Sequence, residues 1–183
     1  GFTLHPGTEA PLHRLAYMLD SVPAARLFDE TMKLLLAGSA VPSFDMLVSL
    51  GLLPHLMPDV AAALAEAPDS PGARLLRLGL ENTDQRVRAD KSVTPTFLFA
   101  VLLWPAILRA IDAPNGPLPE DPQLLSSACD AVMSQQLRRI AVPKRFGLPM
   151  RDLLLMQPRF ERRSGRRALR LLDHPKFRAA YDF

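Results

Sequence analysis

Apolar residues recur at helical spacing along this chain, and prolines repeatedly stop and restart the pattern, which leaves room for little besides an assembly of short to medium helices. Leu27, Phe28, Thr31, Leu34 and Leu35 follow the i, i+3, i+4, i+7 rule and run into Gly38, a helix stop. Phe44, Leu47 and Val48 do the same before Gly51, and Leu75, Leu76, Leu78 and Gly79 come later in the same helical pattern. Further apolar helical segments are read over 97–111, 124–140, 153–156, 168–172 and 177–183. No run of alternating apolar and polar residues is long enough to argue for a sheet. The 18 prolines fit this reading, because Ser70-Pro71, Thr94-Pro95, Asp121-Pro122 and His174-Pro175 each set a proline just after a plausible N-cap. Proline at the first helical position gives up no hydrogen bond, since that N–H has no acceptor within the helix. The expected fold is all-α, an irregular multi-helix arrangement. Pro114, Gly116, Pro117 and Pro119 make 113–120 the clearest break, and the expected division is 1–113 and 114–183. No repeat of fixed period points to a solenoid.

Apolar residues form 48% of the chain and charged residues 22%, which suits a packed domain rather than a disordered one. The single cysteine, Cys129, lies in the apolar stretch SSACDAVM and is read as a small buried hydrophobe. A disulfide within the chain is excluded, which fits a reducing compartment. No signal peptide is visible, and the most apolar run, 97–111, is shorter than the roughly 20 residues a bilayer crossing needs. It is read as a core helix kinked or broken at Pro105, and no membrane partner is expected. The chain begins at Gly1 and stops at Phe183 inside an apolar helical pattern, so it is expected to be a piece of a longer protein.

Charge is divided unevenly. Residues 1–137 carry nine Lys/Arg against fifteen Asp/Glu, whereas 138–178 carry thirteen against three. The basic set is Arg138, Arg139, Lys144, Arg145, Arg151, Arg159, Arg162, Arg163, Arg166, Arg167, Arg170, Lys176 and Arg178. A guanidinium matches phosphate oxygens with a planar fork and also stacks on bases. Crowded cations repel one another unless an anion joins them, and a polyanion gains from counterion release. Phe146, Phe160 and Phe177 interleave with these charges, an arrangement suited to single-stranded RNA, whose bases can stack. Each residue also has a plainer reading, as a solvated helix face or as core. An anionic membrane surface and an acidic partner are the other candidate anions. Pro143, Gly147, Pro149, Pro158 and Gly165 are read as breaks that prevent a clean membrane-binding helix.

Catalytic constellations are absent from the sequence. It contains no GxxxxGK[ST], GxGxxG or GxSxG motif. His5, His13, His55 and His174 are scattered without metal-ligand spacing. Asp29 and Glu30 are adjacent and so diverge on a helix, while Glu120 and Asp121 read as loop and cap. No catalytic and no metal-binding residue is assigned.

Three stretches resemble the bacterial poly(A) polymerase branch of the class II nucleotidyltransferases. They are VPAARLFDETMKLLLAG at 22–38, LENTDQRVRADKSVTPTFLFAVLLW at 80–104 and IAVPKRFGLPMRDLLLMQPRFERRSGRRALRLLDHPKFRAAYDF at 140–183. The first looks like the neck helix that follows the catalytic head and is shared with enzymes that add CCA to tRNA. The last is the more specific to the poly(A) branch. The resemblance implies a neck, body and tail of helices behind an α/β head, in a cytoplasmic parent enzyme that adds adenylates from ATP, with magnesium, to RNA 3′ ends and so promotes RNA processing and decay. The family's catalytic motifs have no counterpart here, so no cofactor is assigned to the chain and ATP and Mg2+ are implied for the parent enzyme alone.

The implied role of the chain is on the RNA side, sequence-tolerant and largely through phosphates. The candidate contacts are Lys144 and Arg145, placed in a Pro-flanked loop, then Arg151, Arg159, Arg162, Arg163, Arg166, Arg167, Arg170, Lys176 and Arg178. Arg26 and Glu30 are read as an i, i+4 ion pair. RNA-decay proteins are possible partners. Rival readings are the C-terminal region of a tRNA CCA-adding enzyme, and a helical interaction module whose basic surface docks a protein.

Overall fold

The computed structural model describes residues 5–119, 121–161, 170–181 and 183. Among these residues every regular element is a helix, as the periodicity requires. The order is α1 (Pro6–Leu15), a 3-10 segment (Ala16–Ser21), α2 (Ala24–Leu35), α3 (Ala40–Ser49), α4 (Leu53–Leu56), α5 (Pro58–Glu66), α6 (Pro71–Arg88), α7 (Pro95–Ala110), α8 (Pro122–Arg139), α9 (Lys144–Glu161) and α10 (Phe177–Tyr181).

Local chemistry sets most helix starts. Ser70, Thr94 and Asp121 cap α6, α7 and α8 by accepting from the backbone N–H of Ala73 (3.2 Å), Phe97 (3.3 Å) and Gln123 (2.9 Å), each with proline next in line. His5 does the same for α1, its Nδ1 accepting from Gly7 at 3.1 Å. At His174-Pro175 the imidazole Nδ1 accepts from Lys176 N–H at 3.2 Å, but α10 begins only at Phe177. Gly38 and Gly51 close α2 and α3 with φ of 79° and 68°, the left-handed region that a side chain disfavours. The N-terminus of α3 has no local side-chain cap. Asp84 of α6, 4% exposed, supplies one from across the fold, accepting from the N–H groups of Ala40 (2.5 Å) and Val41 (3.2 Å).

Helix α7 occupies the centre, packed by α5, α6, α8 and α9. Every residue from Leu98 to Leu108 is buried, Pro105 included. The helix neither stops nor restarts at Pro105, because apolar packing on all sides outweighs the single backbone bond that proline removes. Where α6 crosses α7, Gly79 approaches so closely that a Cβ there would stand 2.4 Å from Val101 Cγ1. One apolar core runs from Leu27 to Ala180 and includes helices on both sides of the 111–121 connection. Cys129 is fully buried within it, as expected. No described helix is long and apolar enough to cross a membrane.

Candidate nucleic-acid interface

Helix α9 organises the basic region. Pro143 precedes it and its carbonyl accepts from Phe146 N–H (2.8 Å) and Gly147 N–H (3.1 Å), so the chain is helical from Lys144 onward. Lys144 and Arg145 are therefore the first residues of a helix, not members of a loop. The helix also passes through Pro149 and Pro158, which do not break it. Met150, Leu153, Leu154 and Met156 hold it in the core, against α7 and α8, and that burial offsets the two missing backbone bonds.

The buried face of α9 fixes which cations look outward. Lys144, Arg145 and Arg159 are exposed and have no carboxylate partner among the described residues. Arg145 lies over the ring of Phe146, 4.8 Å from its centroid. On a regular helix Arg145 and Arg159 stand within about 40° of one another and about 21 Å apart along the axis, so they share one face. Arg151 is turned away from that face. It forks onto Asp130 of α8 (2.6 and 2.9 Å) and reaches Ser126 at 2.8 Å, holding the Asp130 carboxyl below the usual carboxylate range. Arg151 thus fastens α8 to α9, and its guanidinium is already engaged by a carboxylate.

Lys176 is also paired, with Asp152. By helical spacing Asp152 falls within about 20° of Arg145, on the outward face, where its charge would interrupt a phosphate path. Lys176 covers that charge. Arg170 and Arg178 are exposed. Arg162, Arg163, Arg166 and Arg167 lie outside the described residues.

The start of α9 sits beside the N-terminal third of the chain. Ala141 N–H donates to the carbonyl of Ala24 at 3.0 Å, and the ring of Phe146 stacks on Phe28 of α2 with centroids 6.2 Å apart. Arg26 of α2, like Arg138, Lys144 and Arg145, is exposed. Arg26 does not pair with Glu30, which takes Lys33 at 3.0 Å instead. The remaining cation of the region, Arg139, is anchored: it bonds Asp20 at 2.5 Å and the carbonyl of His55 at 2.9 Å, while His55 Nδ1 contacts the same Asp20 oxygen at 3.0 Å. The His55 hydrogen bond, with the Arg139 charge beside it, holds Asp20 below its ordinary value.

The interleaved phenylalanines divide in two. Phe146 is half-buried against Phe28 and belongs to the core edge. Phe160 and Phe177 pack together at 5.8 Å and form a cluster with Tyr181, a residue the charge pattern did not single out. Among the described residues no three His, Cys, Asp or Glu side chains gather to hold a metal ion.

Two stretches of the chain match family models. Residues 120–183 match a family described as "Polymerase A arginine-rich C-terminus". Residues 1–64 match one described as "Probable RNA and SrmB- binding site of polymerase A". The chain is 40% identical over 185 aligned residues, all of its length, to Poly(A) polymerase I of Escherichia coli O157:H7. It is 38% identical to the protein of the same name from Salmonella typhimurium and 34% to that of Haemophilus influenzae, in each case over 98% of the chain. It covers 39%, 39% and 40% of those proteins respectively, and so spans about two fifths of the length of the curated relatives it matches.

Proposed function

This chain belongs to the poly(A) polymerase family, as its C-terminal region, and from that premise we propose that its basic portion carries RNA along the outward face of α9 while a larger protein adds adenylates to the RNA 3′ end. The observation that carries the proposal is the sorting of the cations. Arg139, Arg151 and Lys176 are committed to carboxylates of the fold, whereas Lys144, Arg145 and Arg159 stand exposed and unpaired by carboxylates among the described residues. Arg162, Arg163, Arg166, Arg167, Arg170 and Arg178 extend the proposed path. Arg151 and Lys176 leave the list of direct contacts and act as supports. Phosphates are the main contact, so recognition tolerates sequence. The setting proposed is the cytoplasm, in RNA processing and decay, with ATP and Mg2+ used by the whole protein outside these residues.

A salt titration tests the reading. Affinity for poly(A) falls steeply with salt, with a slope of roughly −0.7 per phosphate contact on a single strand. Reversing Lys144, Arg145 and Arg159 to Glu removes most of the binding, whereas Arg151→Lys, away from the path, leaves the slope nearly unchanged. Binding by the triple reversal variant equal to that of the parent chain refutes the path.

A second reading has its own observation. Residues 1–64, matched to the family described as binding RNA and SrmB, present Leu15, Tyr17, Met18, Met46 and Val48 to solvent. This part is acidic rather than basic and suits docking of a protein partner, such as one acting in RNA decay. Pull-downs before and after RNase separate the two: partners that persist are held by protein, and partners that vanish are held through RNA. The choice of poly(A) over tRNA addition rests on the poly(A) polymerase relatives and is checked by substrate preference of the whole enzyme.

A further inference from the structure

The aromatic cluster at the end of α9 has a surface that the core does not use. Tyr181 stacks on Phe177 with centroids 5.6 Å apart and planes 24° from parallel, and meets Phe160 edge-on at 6.1 Å. Two rings pack against it, yet it remains 67% exposed, among the most exposed of the large hydrophobic side chains. Its base is fixed: Ala180 is buried, and Gln157 Nε2 donates both to the Leu153 carbonyl of its own helix and to the Ala180 carbonyl, each at 3.1 Å, tying α10 to α9. An open aromatic face held rigid by neighbouring rings loses little conformational freedom when a second flat ring settles on it. Cations lie near it along the chain. Arg159 precedes Phe160 at the end of α9, Arg178 lies one helical turn before Tyr181, and Arg170 is exposed just upstream.

We propose that the open face of Tyr181 is a stacking platform for one nucleobase of single-stranded RNA, at the point where the strand leaves the end of α9. The proposal rests on the RNA-path reading above and deepens it, because it adds a contact to a base where that reading supplies contacts to phosphates. Every base has a π-face, so the platform tolerates sequence, with a preference for purines, which overlap the ring more. The charge explains why the occupant is a nucleotide and not an apolar peptide: a polyanion is drawn to exposed Arg159, the chain neighbour of Phe160, and a flat base then covers the tyrosine.

The test compares Tyr181→Ala and Tyr181→Phe in the full chain, titrated against a short oligo(A) and against an abasic strand of the same length. Tyr181→Ala is expected to weaken oligo(A) binding roughly five- to a hundred-fold, the range measured when one base-stacking aromatic is lost. Tyr181→Phe keeps the stacking face and binds like the parent chain. The salt slope of Tyr181→Ala stays unchanged, because no phosphate contact is removed. On the abasic strand the parent chain and Tyr181→Ala bind equally. Steep salt dependence combined with unaltered oligo(A) binding by Tyr181→Ala overturns the platform and leaves the phosphate path standing. An equal loss on the abasic strand, or a loss in Tyr181→Phe as large as in Tyr181→Ala, also overturns it. Absence of salt-dependent binding by the parent chain removes the path and the platform together.

Discussion

Two side chains show how far burial and pairing set chemistry at a single residue. Cys129 is fully enclosed by apolar neighbours, and burial pushes its thiol up to about 12. The thiolate is the reactive species, so a soluble thiol reagent at mildly alkaline pH should label the native chain very slowly and the denatured chain at once. Rapid native labelling would show that α8 opens readily. Its sequence context already pointed to a buried hydrophobe, because an apolar helix without a neighbouring His offers a cysteine little else. Asp20 was not legible in the same way, since its partners His55 and Arg139 come from distant parts of the chain. Those partners lower its pKa in the folded state relative to the unfolded one. The unfolded chain therefore binds more protons near and below pH about 4, and the Asp20 contribution, full above that range, is lost as pH falls through the depressed value. Asp20→Asn should lower stability at neutral pH and flatten the acid limb of the stability curve. An acid limb identical to that of the parent chain would show that the contact adds nothing.

At the level of elements, what could be read from the sequence was local and what could not was tertiary. Ser70, Thr94 and Asp121 carry their capping chemistry with them, each followed by proline, and each caps as expected. The short helices α4 and α5 went unread, although the alanine run of α5 favours a helix by propensity alone. Proline misled in α9, because the contacts of Met150, Leu153, Leu154 and Met156 with other helices are invisible to a rule about one backbone bond. Asp84, likewise, caps a helix that begins 44 residues earlier in the chain. The crossing of α6 and α7 offers the sharpest test at this scale. An added methyl at Gly79 would stand 2.4 and 2.8 Å from the two γ-carbons of Val101 and 3.1 Å from its Cβ, and a β-branched side chain on a helix has no other rotamer to adopt. Gly79→Ala gains about 1 kcal/mol of helix propensity but forces the helices apart, so a net loss of about 1–2 kcal/mol is expected in urea unfolding. Val101→Ala should cost less in the Gly79→Ala background than alone, and a double-mutant cycle without that coupling would mean that the helices do not meet there.

Over the whole molecule the sequence disclosed how much positive charge the C-terminal third holds but not how much of it is available. Availability depends on which carboxylates the fold brings close, and Asp130 and Asp20 reach Arg151 and Arg139 from 21 and 119 residues away. Asp152 is the decisive case, because it sits on the outward face between Arg145 and Arg159 and is neutralised by Lys176. A carboxylate in the middle of a phosphate path raises the energy of every strand that crosses it, and a lysine drawn onto it restores continuity without touching RNA. Asp152→Asn should therefore tighten poly(A) binding several-fold at low salt, since the anion goes and Lys176 becomes available, with the salt slope steeper by up to about 0.7. Lys176→Ala should weaken binding by uncovering Asp152, and the double variant should bind like the parent chain because the local charge is again balanced. These signs follow only if α9 lies under the RNA. Single variants that shift affinity in the same direction, or leave it unmoved, would place the strand on another face of the protein, beyond the reach of this pair at the screening length of roughly 8–10 Å that physiological salt imposes.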